Sequence, residues 1–506
     1  MSNKNSQNIV LIIFFIALAL RLAGITHGFP FIFHPDEPAL IRSAYGIKFY
    51  LNPGHFDWPH LYIYLNYFLY SAFAFLREIL TNLGVKNTLI QILPILWDQE
   101  LVFYLISRVL SALIGALTVF PVFTTGKRLF NDKVGAFAAL ALAILPFHVW
   151  HSHYALIDVP TAFLVALSCY FASGILKGQN VQDYIGSGLY SGLAASTKYN
   201  GGLSLITVPL AHLIRVISNK ERWLQSKAFV YLMLALIFSM IGFVLGTPYS
   251  VLDYKTFIRT DGPQGALWQF SNVGSLPVSE RIPSFINDML YKVSENTGYT
   301  VLLGFFLVFA VLLVKLLMRK TTKTDTYLWF FTLSGLFLMF YISGFEKSRA
   351  HYFMIAYPYV VITFGYLVDT LYVYLDSKIK YISIVMMAIL FGLPFYMSAK
   401  NALTFINSDT RVDMYNWFTQ NVKEGDSIVY NNNELKPVME KLLADTSKSD
   451  DISVDKKPSY VVLSYNDDVY RETFAFLKHS GNLKPLVTID NEFRLGPDIT
   501  IYKYQE

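Results

Sequence analysis

Two adjacent carboxylates, Asp36 and Glu37, stand in His34-Pro35-Asp36-Glu37-Pro38, just beyond the first long apolar run of the chain. A carboxylate can take the proton from an attacking hydroxyl, and a neighbouring acid can hold the acceptor or a metal ion. Pro35 and Pro38 restrict the backbone on either side of the pair. The competing assignment is a structural one, with Asp36 capping a helix that starts near Pro38.

Four further constellations could carry chemistry. His151-Ser152-His153 lies about one turn before Asp158-Val159-Pro160. Asp158 reads either as a helix cap ahead of Pro160 or, with His151, His153 and Asp36, as part of a divalent-cation or phosphate site. Arg108 lies inside an apolar run, where a guanidinium is costly unless a phosphate, a carboxylate or a structural partner such as Glu100 or Asp98 meets it. Lys198 precedes Tyr199-Asn200-Gly201-Gly202, where paired glycines break a helix and leave amides and an ammonium for an anion; snorkelling to the interface is the other reading. Arg349, His351 and Tyr352 close a short polar stretch from Glu346, suited to a phosphate or to an ordinary turn.

These residues need elements to position them, and the composition says which kind. The 506 residues are 54% hydrophobic and 15% charged, with mean hydropathy +0.40, against about 25% charged in soluble domains. The chain therefore reads as a polytopic α-helical membrane protein. A net charge of +5 without a basic stripe excludes a nucleic-acid partner. The single Cys169 excludes a disulfide within the chain. The apolar run from Ile9 lacks a cleavage pattern after it and reads as a retained first span.

Spans of ~20 apolar residues are expected near 9–28, 98–121, 134–150, 159–176, 185–199, 202–218, 228–246, 299–318, 326–344, 352–374 and 380–398, about eleven in all. With the N-terminus cytoplasmic, the inner loops hold Lys127, Arg128 and Lys133; Arg215, Lys220, Arg222 and Lys227; Lys315, Arg319, Lys320 and Lys323; and Lys378 with Lys380. These short basic loops fit the positive-inside rule. The long outer loops are then about 29–97 and 247–298, with the aromatic stretch 56–82 expected to form helices along the outer surface. Asp36, Asp158, Lys198 and the 346–352 stretch fall at the outer level, and Arg108 points into the bundle.

The composition changes at 399. Residues 399–506 carry short apolar runs at Ile428-Val429-Tyr430 and Tyr460-Val461-Val462-Leu463, and Met414, Trp417, Phe418 and Val422 recur at helical spacing. The expected organisation is a transmembrane domain over 1–398 followed by a small soluble α/β domain over 399–506, outside the membrane.

Taken together, the motifs resemble those of the polytopic GT-C glycosyltransferases. More narrowly, the chain is similar to glycosyltransferase family 39 and its bacterial and archaeal relatives, which include the protein O-mannosyltransferases and the lipid A aminoarabinose transferases. Asp36-Glu37 resembles the acidic motif of the family's first outer loop, and Phe56-Asp57-Trp58-Pro59-His60-Leu61-Tyr62 its aromatic-proline segment. Arg108 to Gly115 is similar to its arginine-bearing second span, and Asp158-Val159-Pro160 to its second acidic position. Thr197-Lys198 and His351-Tyr352 with Pro358 match the later elements.

The resemblance implies the GT-C fold, a donor sugar on a polyprenyl or dolichyl phosphate, and transfer with inversion to a hydroxyl-bearing acceptor on the outer side of the cell membrane. It implies Asp36 as base, Glu37 as a supporting or acceptor-binding acid, and Arg108, Lys198 and Arg349 around the lipid phosphate, with Asp158, His351 and Tyr352 lining the same site. No cofactor follows from it beyond a possible divalent metal at Asp36, Asp158, His151 and His153. Two departures narrow it. Trp58 stands where the aminoarabinose transferases carry a lysine, and outer loop 247–298 is too short for the β-trefoil domain of the eukaryotic O-mannosyltransferases. A transporter or flippase for lipid-linked sugars is the alternative class; the two similar halves common in transporters are not visible in this sequence.

Overall fold

The computed structural model describes residues 3–47, 50–178, 180–220, 226–376, 380–423, 426–430, 433–445, 459–464 and 483–504. Of the loop cations expected inside, Arg222 and Lys378 lie outside the described residues. The chain divides into two compact units, one of Met1–Leu22 with Ala39–Ala399 and one of Ala23–Pro38 with Lys400–Glu506.

The first unit is helical. Nine helices among the described residues are long and apolar enough to cross a membrane. Two of the eleven expected spans form shorter pieces. The 134–150 run divides into Asp132–Ala143 and Pro146–His151, because Pro146 has no amide to continue a helix and opens a new one. The 185–199 run becomes Val181–Ala195, ending three residues before Lys198. At 1.5 Å per residue these helices span only ~9–23 Å, less than the ~30 Å apolar layer of a bilayer.

The apolar patterning buries Leu142, Val165, Cys169, Phe330, Phe331, Tyr359 and Phe364 in one core shared by the helices Asp132–Ala143, Asp158–Ile175, Lys323–Ser343 and Tyr357–Asp376. The Asp158 helix lies in the middle of this set, and most of its residues are buried. In the first long loop, the helix Leu61–Asn82 buries Tyr62, Ile63, Asn66 and Tyr70. It leaves Phe68, Phe75 and Leu76 exposed, so its outer face is apolar.

The second unit holds a four-stranded sheet among its described residues, in the order β1-β2-β4-β3, with β1 Ile428–Tyr430, β2 Tyr460–Ser464, β3 Leu483–Ile489 and β4 Ile499–Tyr504. β1 and β2 are parallel and the other pairs antiparallel. Pro485 falls on the edge strand β3, beside a register shift, where its missing amide breaks no inner ladder. Met414 and Phe418 from the helix Thr410–Asn421 pack on Tyr460, Val462, Ile499 and Ile501.

Phe31 joins that core, and the Arg411 guanidinium lies 3.5 Å over the Phe33 ring. The run Phe29 to Phe33 is too short to span a membrane and too apolar to leave in water, which accounts for Ala23–Pro38 folding with the C-terminal chain.

Candidate functional site

Five of the residues singled out in the sequence converge within the first unit. Asp158 is the first residue of its helix and is buried. Its carboxylate does not cap the helix. Lys198 Nζ donates to Oδ1 at 2.5 Å, and His151 Nε2 lies 3.2 Å from Oδ2, the geometry of an imidazole N–H donating to a carboxylate. Each oxygen thus takes one partner from a different element.

His151 is held in its plane by two rings. Phe147 stacks on it with centroids 5.2 Å apart, and His351 stacks on it at 5.6 Å and 18°. Tyr352 meets the His351 ring edge-on, and Lys198 Nζ sits 4.6 Å from the Tyr352 centroid. Arg349 precedes the 3₁₀ turn Ala350–Ala356 that carries His351 and Tyr352, and its side chain is exposed. The result is a buried carboxylate and imidazole, Asp158 and His151, joined by the half-buried Lys198 and His351, with the exposed Arg349 beside His351 in the chain.

Local sequence explains how Lys198 reaches this place. The helix Val181–Ala195 ends, Lys198 takes extended backbone, and the 3₁₀ turn Tyr199–Ile206 follows. A Cβ on Gly201 would lie 2.6 Å from the Ala194 carbonyl oxygen, so the turn folds back on the helix end only because that residue is glycine.

The aromatic-proline segment docks on the same stretch. Leu61 N–H donates to Ser196 O at 2.9 Å, and Tyr199 Oη donates to Phe56 O at 2.7 Å. His60 N–H donates to Thr247 Oγ1 at 3.2 Å. Burial pushes the His60 imidazole down to about 4, so it is neutral at physiological pH. His55 Nδ1 is bonded to Asp57 Oδ1, and Ser43 Oγ to His55 Nε2 at 2.9 Å.

Arg108 is fully buried in the helix Leu101–Leu117. Neither of the two acids weighed for it is placed as a simple structural partner. Asp98 Oδ1 accepts the Glu100 and Leu101 amides at the helix start, and Glu100 is exposed ~12 Å along the axis. Ser107 beside it joins a buried polar set with Asn66 and Tyr70.

Asp36 and Glu37 open the helix Asp36–Gly46, and the division of the chain assigns them to the second unit. Asp36 is half-buried, and its amide donates to His34 Nδ1 at 3.2 Å; Glu37 is fully buried. Carboxylates in a first helical turn are favoured by the helix dipole.

The metal arrangement considered for Asp158, His151 and His153 does not fit the first unit. Both oxygens of Asp158 are already engaged, one by the Lys198 ammonium and the other by the same His151 nitrogen that would face a shared metal. Among the described residues no group of three or more His, Cys, Asp or Glu is placed to hold a metal ion.

Two features went unnoticed in the sequence. Arg21, near the end of the first span, is wholly buried and donates to the carbonyls of Ala17, Leu142 and Ala143 and to His148 Nδ1 at 2.9–3.2 Å. The same signal that marked Arg108, a guanidinium inside an apolar run, would have found it. Asp288 is buried and bonded to the half-buried Lys292 and Ser348; its i,i+4 spacing from Lys292 is the only sequence sign.

This arrangement of helices is the GT-C fold of membrane glycosyltransferases, and the apolar helices make the chain a membrane protein. Residues 95–245 match the model of the dolichyl-phosphate-mannose-protein mannosyltransferase family, a stretch that contains Arg108, His151, His153, Asp158 and Lys198. No curated protein matches by sequence.

Among solved structures, the Archaeoglobus fulgidus oligosaccharyltransferase tethered with an acceptor peptide matches with TM-score 0.53 at 10% identity, covering 94% of this chain and 70% of that one. The same organism's oligosaccharyltransferase AglB, in complex with an inhibitory peptide and a dolichol-phosphate, gives 0.50 at 11%, covering 93% and 70%. ArnT from Cupriavidus metallidurans in the apo state gives 0.48 at 13%, covering 98% and 97%. At these identities the likeness to the two oligosaccharyltransferase structures is one of fold. The chain thus resembles the GT-C glycosyltransferases, and within them the family 39 mannosyltransferase-like branch.

Proposed function

We propose that the chain is an inverting glycosyltransferase that moves a sugar from a polyprenyl- or dolichyl-phosphate donor to a hydroxyl on a protein, lipid or glycan acceptor, at the outer face of the membrane. The observation that carries this reading is the Lys198–Asp158–His151–His351 cluster at the N-terminal end of the Asp158 helix. A half-buried ammonium with two N–H bonds to spare, flanked by imidazoles and an exposed Arg349, suits a phosphate that gains charge as its sugar leaves. The family match over residues 95–245 supports the same donor class.

In this reading Asp36 takes the proton from the acceptor hydroxyl. The hydroxyl oxygen forms a bond to the anomeric carbon from the face opposite the lipid phosphate, and the carbon–oxygen bond to the phosphate breaks with its electron pair. Lys198 and Arg349 balance the charge on the departing phosphate, and Asp158 keeps Lys198 in place. Glu37 supports the acceptor, and Arg108 serves the phosphate side.

The test is transfer from radiolabelled dolichyl- and undecaprenyl-phosphate sugars in membranes that contain the chain. Wild-type protein should transfer from at least one of them, and Asp36→Asn should lower the rate at least about a hundredfold, as expected for a general base. Full transfer by correctly folded Asp36→Asn sinks the base assignment. No transfer from any lipid-linked donor sinks the enzyme.

A further inference from the structure

The loop that carries Arg349, His351 and Tyr352 is held from outside by a second segment whose residues belong to none of the roles above. Leu276 N–H donates to Gly344 O at 2.9 Å, and Ser284 Oγ donates to Ser343 O at 2.8 Å. Further along, the chain takes a π-helical turn over Asp288–Val293. There Lys292 Nζ donates to Ser348 O at 3.0 Å and pairs with Asp288 Oδ1 at 2.7 Å, while Ser348 Oγ donates to Asp288 Oδ2 at 3.0 Å.

Asp288 is buried, so its charge is stable there only with these partners. Met289 and Val293 on the same turn enter the core that contains Phe353 and Met354. The i,i+4 spacing puts Asp288 and Lys292 on one face of this turn, and both bond to Ser348.

The ordinary reading of such a cluster is a loop tie. Its position argues for more. Ser348 is the residue before Arg349, and the turn Ala350–Ala356 begins immediately after. A displacement of Ser348 therefore moves the exposed guanidinium and the imidazole that stacks on His151 together.

We propose that Asp288, with Lys292 and Ser348, is a positioning group that sets Arg349 and His351 for the lipid phosphate, an inference that rests on the phosphate reading of the site above. Asp288 does not touch the donor. It acts through Ser348, and the expected signature is a change in donor affinity with little change in the chemical step.

The experiment uses the full chain in lipid nanodiscs, with dolichyl phosphate as the binding probe, amide hydrogen exchange over residues 345–352, and donor KM and kcat wherever transfer is measurable. Asp288→Asn and Ser348→Ala are compared with wild type, the second keeping the test open if the first fails to fold. Both should speed exchange across 345–352 and weaken dolichyl-phosphate binding, by about tenfold for Asp288→Asn, which removes the charge, and less for Ser348→Ala, which removes one hydrogen bond to it. Donor KM should rise in step, with kcat within about threefold. Unchanged affinity in either folded variant overturns the proposal, as does unchanged exchange. A wild-type chain that binds no dolichyl phosphate overturns the functional reading and this inference with it, an outcome distinct from the failure of the variants alone.

Discussion

Two buried carboxylates flank the helix Asp158–Ile175, its own Asp158 at the N-terminal end and Asp183 of the neighbouring helix Val181–Ala195 packed near the C-terminal end, and the two are built differently. Near its C-terminal end Arg128 Nη2 donates to both oxygens of Asp183, at 2.9 and 3.0 Å, and Nη1 donates to Tyr170 O. The guanidinium also covers the Tyr170 ring at 5.0 Å. That pair is closed: its charge is matched by a guanidinium that holds both oxygens, and Gly174 leaves no space beside it, since a Cβ there would lie 2.3 Å from both partners. At the N-terminal end Asp158 takes a single bond on each oxygen from a lysine and an imidazole, both backed by aromatic faces. That cluster retains donors. A closed pair serves the fold, and an open one can hold a ligand.

The contrast yields predictions that would break it. The largest effect is expected at the open end. Lys198→Met should lower the transfer rate by about 10²–10³, the usual loss when one preorganised charge at a developing anion is removed. Arg128→Met at the closed end should leave transfer within about threefold.

Stability should follow the reverse order. Arg128→Met strands a buried carboxylate and should cost about 3–5 kcal/mol, read as a lower unfolding midpoint in detergent. Gly174→Ala should cost about 1–3 kcal/mol by overpacking the same pair, again with transfer preserved. The smallest effect belongs to Arg349→Gln. That side chain is exposed, so donor KM should rise only several-fold, and more at low than at high salt. A salt-independent loss of more than a hundredfold would place Arg349 inside the buried cluster, contrary to its exposure.

Much of the open end was legible beforehand, for a physical reason. Charged and imidazole side chains at the ends of apolar runs are costly unless they meet one another, so Asp158, His151, Lys198, His351 and Tyr352 stood out by type and by level. The geometry could not be read. Which oxygen takes Lys198, and that His351 stacks on His151, depend on chain turns at Gly201 and at Ala350–Ala356 that periodicity does not encode.

The span count was less legible. A run of apolar residues looks continuous across Pro146, yet the missing amide divides it. Arg21 escaped notice because the surrounding run masks a single charge, and Asp288 because an acid in a long polar loop looks solvated. Nor does anything in Phe29 to Phe33 name its partner: Phe31 and Phe33 are satisfied by Met414, Tyr415 and Arg411, nearly four hundred residues along the chain.

The central claim is that the Asp158 cluster holds the donor phosphate and the Asp183 pair does not. The most direct measurement compares transfer from the dolichyl- or undecaprenyl-phosphate sugar that wild type accepts, by wild type, Lys198→Met and Arg128→Met at equal folded amounts in the same membranes. The account predicts a loss of at least about a hundredfold for Lys198→Met and near wild-type transfer for Arg128→Met. Equal losses in the two variants, or undiminished transfer by Lys198→Met, would contradict it.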